Sequence, residues 1–273
     1  MFVSIQEWRR RSDNERCICV GADLTVGEEF TRLLAVNSSW NAIFIFHGIM
    51  SVGCETNPAL STKVNIEATQ ALLTAVSRLR SGDKKPRVVY ASTQAVYGPP
   101  YTTNETITDD TPATPVGVYG THKLMMELFI NDLHRRGLLD AFSVRLPTVT
   151  ARPGAPSRSA ASSLSGMLRE TVAGQAYVMP IDDYSAPSDA MPAHIRAVYM
   201  PGIFVTVGEM VRAVGALCGE ENLALLKVER DVEAERLLKS WPQTSDFGDA
   251  KRLSLVFDSD CEQIFHEYVD SLN

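Results

Sequence analysis

Four short apolar runs, Cys17–Val20, Ala42–Phe46, Arg87–Ala91 and Ala141–Leu146, alternate with three stretches of helical periodicity, Val26–Val36, Thr62–Arg80 and Pro115–Arg136. Parallel strands need a crossover between them, and a helix is the usual one. The β-α-β-α-β-α-β succession therefore predicts a parallel sheet covered on both faces by helices. Ser81-Gly82 and Gly137 stand where C′ glycines would end the second and third helices, and Pro115 falls in a first turn, where its missing N–H costs nothing. After Pro147 the pattern changes. "TARPGAPSRSAASSLSG" and "PIDDYSAPSDAMP" read as irregular segments. "FVTVGEMVRAVGALCG" then reads as a strand and a helix capped by Thr206 and stopped by Gly219. "DSDCEQIFHEYVDSL" reads as a last amphipathic helix capped by Asp258 or Asp260. The expectation is a shortened, doubly wound α/β sheet over residues 1–150 and a reduced substrate lobe over residues 151–273. That lobe would lie over the C-terminal edge of the sheet, where open α/β sheets bind ligands.

Charge and composition remove several classes of partner. The chain of 273 residues carries a formal net charge of −7, which argues against nucleic acid and anionic membrane surfaces. Its basic run, "WRRR" at Trp8 to Arg11, reads as a solvated face. "AIFIFHGIM" is too short for a membrane span and contains His47, and the N-terminus lacks the apolar core of a signal peptide. Five cysteines without Cys-x-x-Cys spacing read as reduced thiols of a cytoplasmic protein, and the histidines show no metal-ligand spacing. A small molecule is the expected partner, with no metal.

The strongest chemical signal is "VYGTHK", which puts Tyr119 and Lys123 four residues apart on the third helix. Residues at that spacing share a helix face, and a neighbouring ammonium favours the phenolate, so the tyrosine becomes usable as a general acid or base. Upstream, "RVVYASTQAVYGPP" runs from a buried strand into Ser92 and Thr93 and then Val96-Tyr97-Gly98.

Together these two segments resemble the extended short-chain dehydrogenase/reductase family, also called the NAD-dependent epimerase/dehydratase family. The resemblance implies a Rossmann-like fold and gives Thr93, Tyr119 and Lys123 the catalytic roles, with Ser92 beside the substrate. "VNIEAT" resembles a family helix, with Asn65 in place and Ala68 where glycine is usual, and "FHG" at Phe46 to Gly48 resembles the end of a family strand. The run from Arg145 to Gly174 is similar to the D-erythronate dehydrogenase-like subgroup, whose members oxidise a small sugar acid with NAD. That similarity implies a substrate pocket lined by Arg152, Ser162, Ser163 and Ser165, with the Arg152 guanidinium suited to a carboxylate. It also implies a homodimer formed through the helices that flank the sheet.

The stretch "CICVGADLTVGEEF" departs from the family. If it is the glycine-rich loop, Gly21 and Gly27 are its outer glycines and Leu24 fills the space of a pyrophosphate. If "GADLT" is instead the end of the third family strand, Asp23 would contact adenine, and the first strand, its loop and the second strand lie outside this chain. The second alignment is preferred because the following helix and "IFIFH" then fall in place, and Cys17–Val20 would move beside "IFIFH". Thr25 and Glu28 form a Thr-x-x-Glu capping box that occupies the helix start with the protein's own groups.

An intact acid/base group beside a degenerate, N-terminally truncated cofactor site leads to the first reading. It is chemistry without a nicotinamide cofactor, of isomerase, dehydratase, cyclase or lyase type, on a small oxygenated substrate. The alternative is a divergent NAD(P)-dependent dehydrogenase or epimerase of a sugar-acid-like substrate. A third reading is a non-catalytic relic that binds a ligand or a partner chain.

Overall fold

The computed structural model describes residues 20–37, 39–80, 84–98, 106–108, 111–147, 163–179, 185–186, 197–199, 202–203, 205–232, 248–252, 255 and 258–270. The first half runs α1 (Gly27–Leu34), β1 (Ala42–Ile45), α2 (Ser51–Thr56), α3 (Pro58–Ser61), a π-helical segment (Thr62–Ala68) and α4 (Thr69–Val76). It continues with β2 (Arg87–Thr93), a 3₁₀ turn (Gln94–Val96), α5 (Val118–Arg135) and β3 (Asp140–Leu146). The second half has α6 (Ser163–Val172), β4 (Tyr177–Met179), β5 (Ser185–Ala186), β6 (Ala197–Tyr199), β7 (Val205–Thr206) and α7 (Val207–Cys218). It ends with α8 (Glu220–Leu223), β8 (Leu226–Val228), α9 (Gly248–Arg252) and α10 (Cys261–Asp270).

The main sheet has the order β1-β2-β3-β6, and every pairing in it is parallel. β2 lies inside, with neighbours on both edges, which is why "VVYAST" can be apolar or small throughout. Ile45, Val88, Tyr90 and Ala141 from three strands pack on Leu72, Leu73 and Val76 of α4 and on Met126, Ile130 and Leu133 of α5. Phe44 of β1 and Phe46 just beyond its end turn to the other face, where their rings stack 6.2 Å apart. A second core joins Met167 and Leu168 of α6, Met210 and Val214 of α7, and Phe265 and Tyr268 of α10.

The doubly wound α/β expectation holds, with differences in detail. β6 lies beyond residue 150 yet extends the main sheet beside β3, so a cut at 150 divides the chain but not the sheet. Ala250 of α9 likewise packs with Val96, Tyr97 and Ile107 from the first half. The predicted Thr62–Arg80 helix is preceded by helical turns from Ser51 and ends at Val76. The third helix begins at Val118 rather than Pro115, because Gly117 is still extended as its N-cap. Its end is as predicted: Gly137 is left-handed at φ +67°, the Gly137 amide donates to His134, and the Leu138 amide donates to Leu133. The Thr206–Glu209 capping box and the Asp260 cap of α10 both form. Of the predicted Cys17–Val20 strand, residues 17–19 lie outside the described residues, and so does most of the two irregular segments after Pro147. Among the described residues, no helix is long and apolar enough to cross a membrane, and no group of three metal-binding side chains occurs.

Candidate active site

α5 carries Tyr119 and Lys123 on the face turned to the end of β2, and both are buried. The Lys123 ammonium donates to the Ala91 carbonyl at 2.7 Å, lies 4.5 Å from the centre of the Tyr90 ring and 5.8 Å from that of Tyr119. Burial pulls its pKa down to about 8, against the partial support of Cys54 and Glu127, so the group is still a cation at neutral pH. Thr93, two residues past Ala91, accepts from the Ala95 amide through its hydroxyl oxygen, which leaves the hydroxyl hydrogen to donate elsewhere. The structure thus brings together Tyr119, Lys123 and the Thr93 end of β2.

Two devices set the start of α5. The Glu55 carboxylate on α2 accepts from the Val118 amide at 2.8 Å, satisfying one of the unpaired N–H groups of the first turn. Gly120 lets the helix touch the turn after β2: a Cβ there would lie 1.9 Å from the Ala95 carbonyl oxygen and 2.7 Å from its carbon. Because backbone on both sides must move, Gly120→Ala should cost about 1–3 kcal/mol or more, read as a lowered urea midpoint. A midpoint equal to the parent's would show that the two backbones separate freely.

Ser92 is tied to the next turn of α5. Its hydroxyl donates to the Glu127 carboxylate, which is fully buried and is gripped by Arg145, Nε at 3.0 Å and Nη2 at 2.7 Å. Arg145 also donates to the Tyr97 hydroxyl at 2.6 Å. The Ser92 hydroxyl is thus taken up by this internal network on the Tyr119–Lys123–Glu127 face of α5. Glu127 and Arg145 were missed as site residues. The available signal was spacing: Glu127 follows Lys123 by four residues, as Lys123 follows Tyr119. Among the expected pocket residues, Ser165 is fully buried in α6. Only the backbone of Ser163 is described, and Arg152 and Ser162 lie outside the described residues.

The loop after β1 forms the other wall. Asn65 clamps it, accepting from the Ile49 amide at 2.7 Å and donating to the Ile49 carbonyl at 3.0 Å. Between His47 and Ile49, Gly48 is at φ +148°, and a Cβ there would sit 3.2 Å from Asn65 Oδ1 and 3.6 Å from Lys123 Nζ. His47 pairs with the Thr69 hydroxyl at 3.0 Å, and burial followed by the Lys123 charge pushes its pKa down to about 4.

The Gly21–Gly27 stretch is a turn closed by its own side chains. Asp23 accepts from the Thr25 amide and hydroxyl, both at 2.8 Å, and the Glu29 carboxylate accepts from the Asp23 amide at 2.6 Å. The Thr25–Glu28 capping box does not form. Helix α1 starts one residue later, with Val26 as an extended N-cap, so Glu29 is the residue that reaches back. Gly27 opens α1, with only an ordinary contact to Phe30 at its Cβ position, and Gly21 accepts from Arg32 at 3.4 Å.

The chain is 31% identical to D-erythronate dehydrogenase of Haemophilus influenzae over 86% of its own length and 79% of the relative's. It is 29% identical to D-erythronate dehydrogenase of Cupriavidus necator over 86% of its own length and 77% of the relative's. Its structure matches a nucleoside-diphosphate-sugar epimerase from Agrobacterium tumefaciens with a TM-score of 0.78 and 29% identity, covering 91% of this chain and 77% of that one. These matches bear out the Rossmann-like sheet and the similarity to the D-erythronate dehydrogenase-like subgroup. They overturn the reading of a cofactor-free isomerase, dehydratase, cyclase or lyase, because the relatives that share most of this chain's length are named dehydrogenases. A degenerate cofactor site is likewise unsupported. The hydrogen bonds of the Gly21–Gly27 turn set how α1 starts and are no measure of the rest of a coenzyme site. The sequence matches the NAD dependent epimerase/dehydratase family over residues 4–188, more than half its length, and the chain belongs to that family.

Proposed function

We propose that the chain is an NAD(P)-dependent dehydrogenase of small hydroxy acids of the erythronate kind. The observation that carries this reading is the buried Lys123 ammonium, fixed on the Ala91 carbonyl and sharing a helix face with Tyr119. The residues present suit a nicotinamide nucleotide at its reactive end. Gly48 keeps the volume beside Lys123 clear where any Cβ would intrude, as close approach of a ligand to backbone requires. Gly48 and Lys123 would hold the ribose end, and Asp23 would meet adenine. Bound NAD(P) would supply the hydride acceptor.

The chain's own residues handle the proton. Tyr119 takes the proton from the substrate hydroxyl as the carbonyl develops, and the Lys123 charge stabilises the phenolate that does so. Thr93 donates its hydroxyl hydrogen to the same substrate oxygen and holds it at the end of β2. Burial of Tyr119 and Lys123 keeps water from weakening these interactions. Arg152 is assigned to the substrate carboxylate, and the core formed by α6, α7 and α10 to a substrate lobe.

The test uses the purified chain with NAD or NADP and a panel of small polyhydroxylated acids that includes D-erythronate. The expected result is nicotinamide reduction with at least one acid, together with energy transfer from tryptophan to added NADH. Absence of both would overturn the proposal.

A further inference from the structure

Two successive residues of β2 are tied to two successive turns of α5. Lys123 donates to the Ala91 carbonyl, and the next residue, Ser92, donates its hydroxyl to Glu127, one turn further along the helix. On the neighbouring strand Arg145 stands in direct register with Ser92 and holds the same carboxylate through both of its oxygens. Tyr97, just beyond the turn that follows β2, closes the set through its hydroxyl on Arg145 and its ring 5.0 Å from the guanidinium carbon. Glu127 is 0% exposed and Arg145 2%, so neither charge meets solvent and neither has another role on the surface.

We propose that Glu127 is a positioning residue for the reaction at Tyr119: its carboxylate, oriented by Arg145, anchors Ser92 and thereby fixes the end of β2 that presents Thr93. This rests on the dehydrogenase reading for the identity of the reaction, but not for the geometry. Buried polar networks that are fully satisfied specify one arrangement. Here that arrangement is the relative placement of α5, β2 and β3 at the one level of the fold where Thr93 and Tyr119 must meet a substrate. Glu127 also acts through its charge. Lys123 is faced by Cys54 from α2, His47 from the β1 loop, Tyr90 from β2, and Tyr119 and Glu127 from its own helix; Glu127 favours the protonated amine.

Two variants separate the two effects. Ser92→Ala keeps the ion pair and removes the anchor, so kcat should fall about tenfold while KM stays within about twofold and the pH profile keeps its midpoint. Glu127→Gln keeps an acceptor for Ser92 and removes the charge, so the alkaline midpoint of the kcat profile should move down by about one pH unit. If Glu127→Gln unfolds, the kcat of Ser92→Ala decides alone. A Ser92→Ala enzyme with parental kcat, or a Glu127→Gln profile that superimposes on the parent's, would overturn the inference. If the parent shows no nicotinamide turnover, the dehydrogenase reading has failed and the positioning role is read without substrate. The tyrosinate absorbance attributable to Tyr119, taken as the difference from Tyr119→Phe, should then titrate at higher pH in Glu127→Gln, because the Lys123 charge that stabilises the phenolate is lost earlier. An unchanged midpoint would overturn the inference.

Discussion

Tyr119→Phe should fold as the parent does and lose turnover by about 10²–10⁴, the usual range for removing a positioned acid/base group. The substitution deletes one oxygen from a buried ring and keeps the ring's packing. Its thermal midpoint should therefore stay within a few degrees while kcat collapses, and both are measured on one preparation. The KM for the hydroxy acid should change far less than kcat, because an interaction made mainly in the transition state lowers kcat and kcat/KM together. Turnover within about threefold of the parent would remove Tyr119 from the chemistry and leave Thr93 and Lys123 to explain it.

The second large effect is on stability. Arg145→Met leaves the Glu127 carboxylate buried without its cation, and breaking a buried pair in this way costs about 3–5 kcal/mol. At about 2–4 °C per kcal/mol for a chain of this size, the thermal midpoint should fall by roughly 10 °C. Removing both partners, as Glu127→Leu/Arg145→Met, should restore most of that loss, since apolar replacements of a buried ion pair are often neutral. The cycle is closed by differential scanning calorimetry of the parent, both single variants and the double. A single Arg145→Met variant as stable as the parent would mean that Glu127 is satisfied by Ser92 alone or takes up a proton.

Much of the fold was legible because its signals are local. A buried strand such as "RVVYAST" is apolar on both faces, and a C′ glycine such as Gly137 announces a helix end through its own backbone freedom. Tyr119, Lys123 and Thr93 were legible for the same reason, since a spacing of four on a helix and a hydroxyl at a strand end are sequence-local facts. What was not legible depends on which way a side chain turns or on partners far apart in the chain. Ser92 and Thr93 look equivalent in sequence, yet one is taken up by Glu127 and the other stays at the strand end. The Glu55 carboxylate reaches α5 from 63 positions away, and nothing near Gly117 predicts it. The start of α1 was misplaced by one residue because Asp23 competes for the Thr25 hydroxyl that a capping box would have used. That one turn was also too narrow a basis for excluding a coenzyme.

The π-helical segment Thr62–Ala68 gives the chain a vulnerability to changes in length rather than in chemistry. Such a segment holds one residue more per turn than the α-helix into which it runs, and Asn65 sits inside it. A single-residue deletion there would let the coil wind regularly and improve its own hydrogen bonds. It would also swing the amide of Asn65 off the Ile49 peptide and unfasten the strand-end loop that keeps Gly48 beside Lys123. Shortening would tidy the helix and spoil the wall.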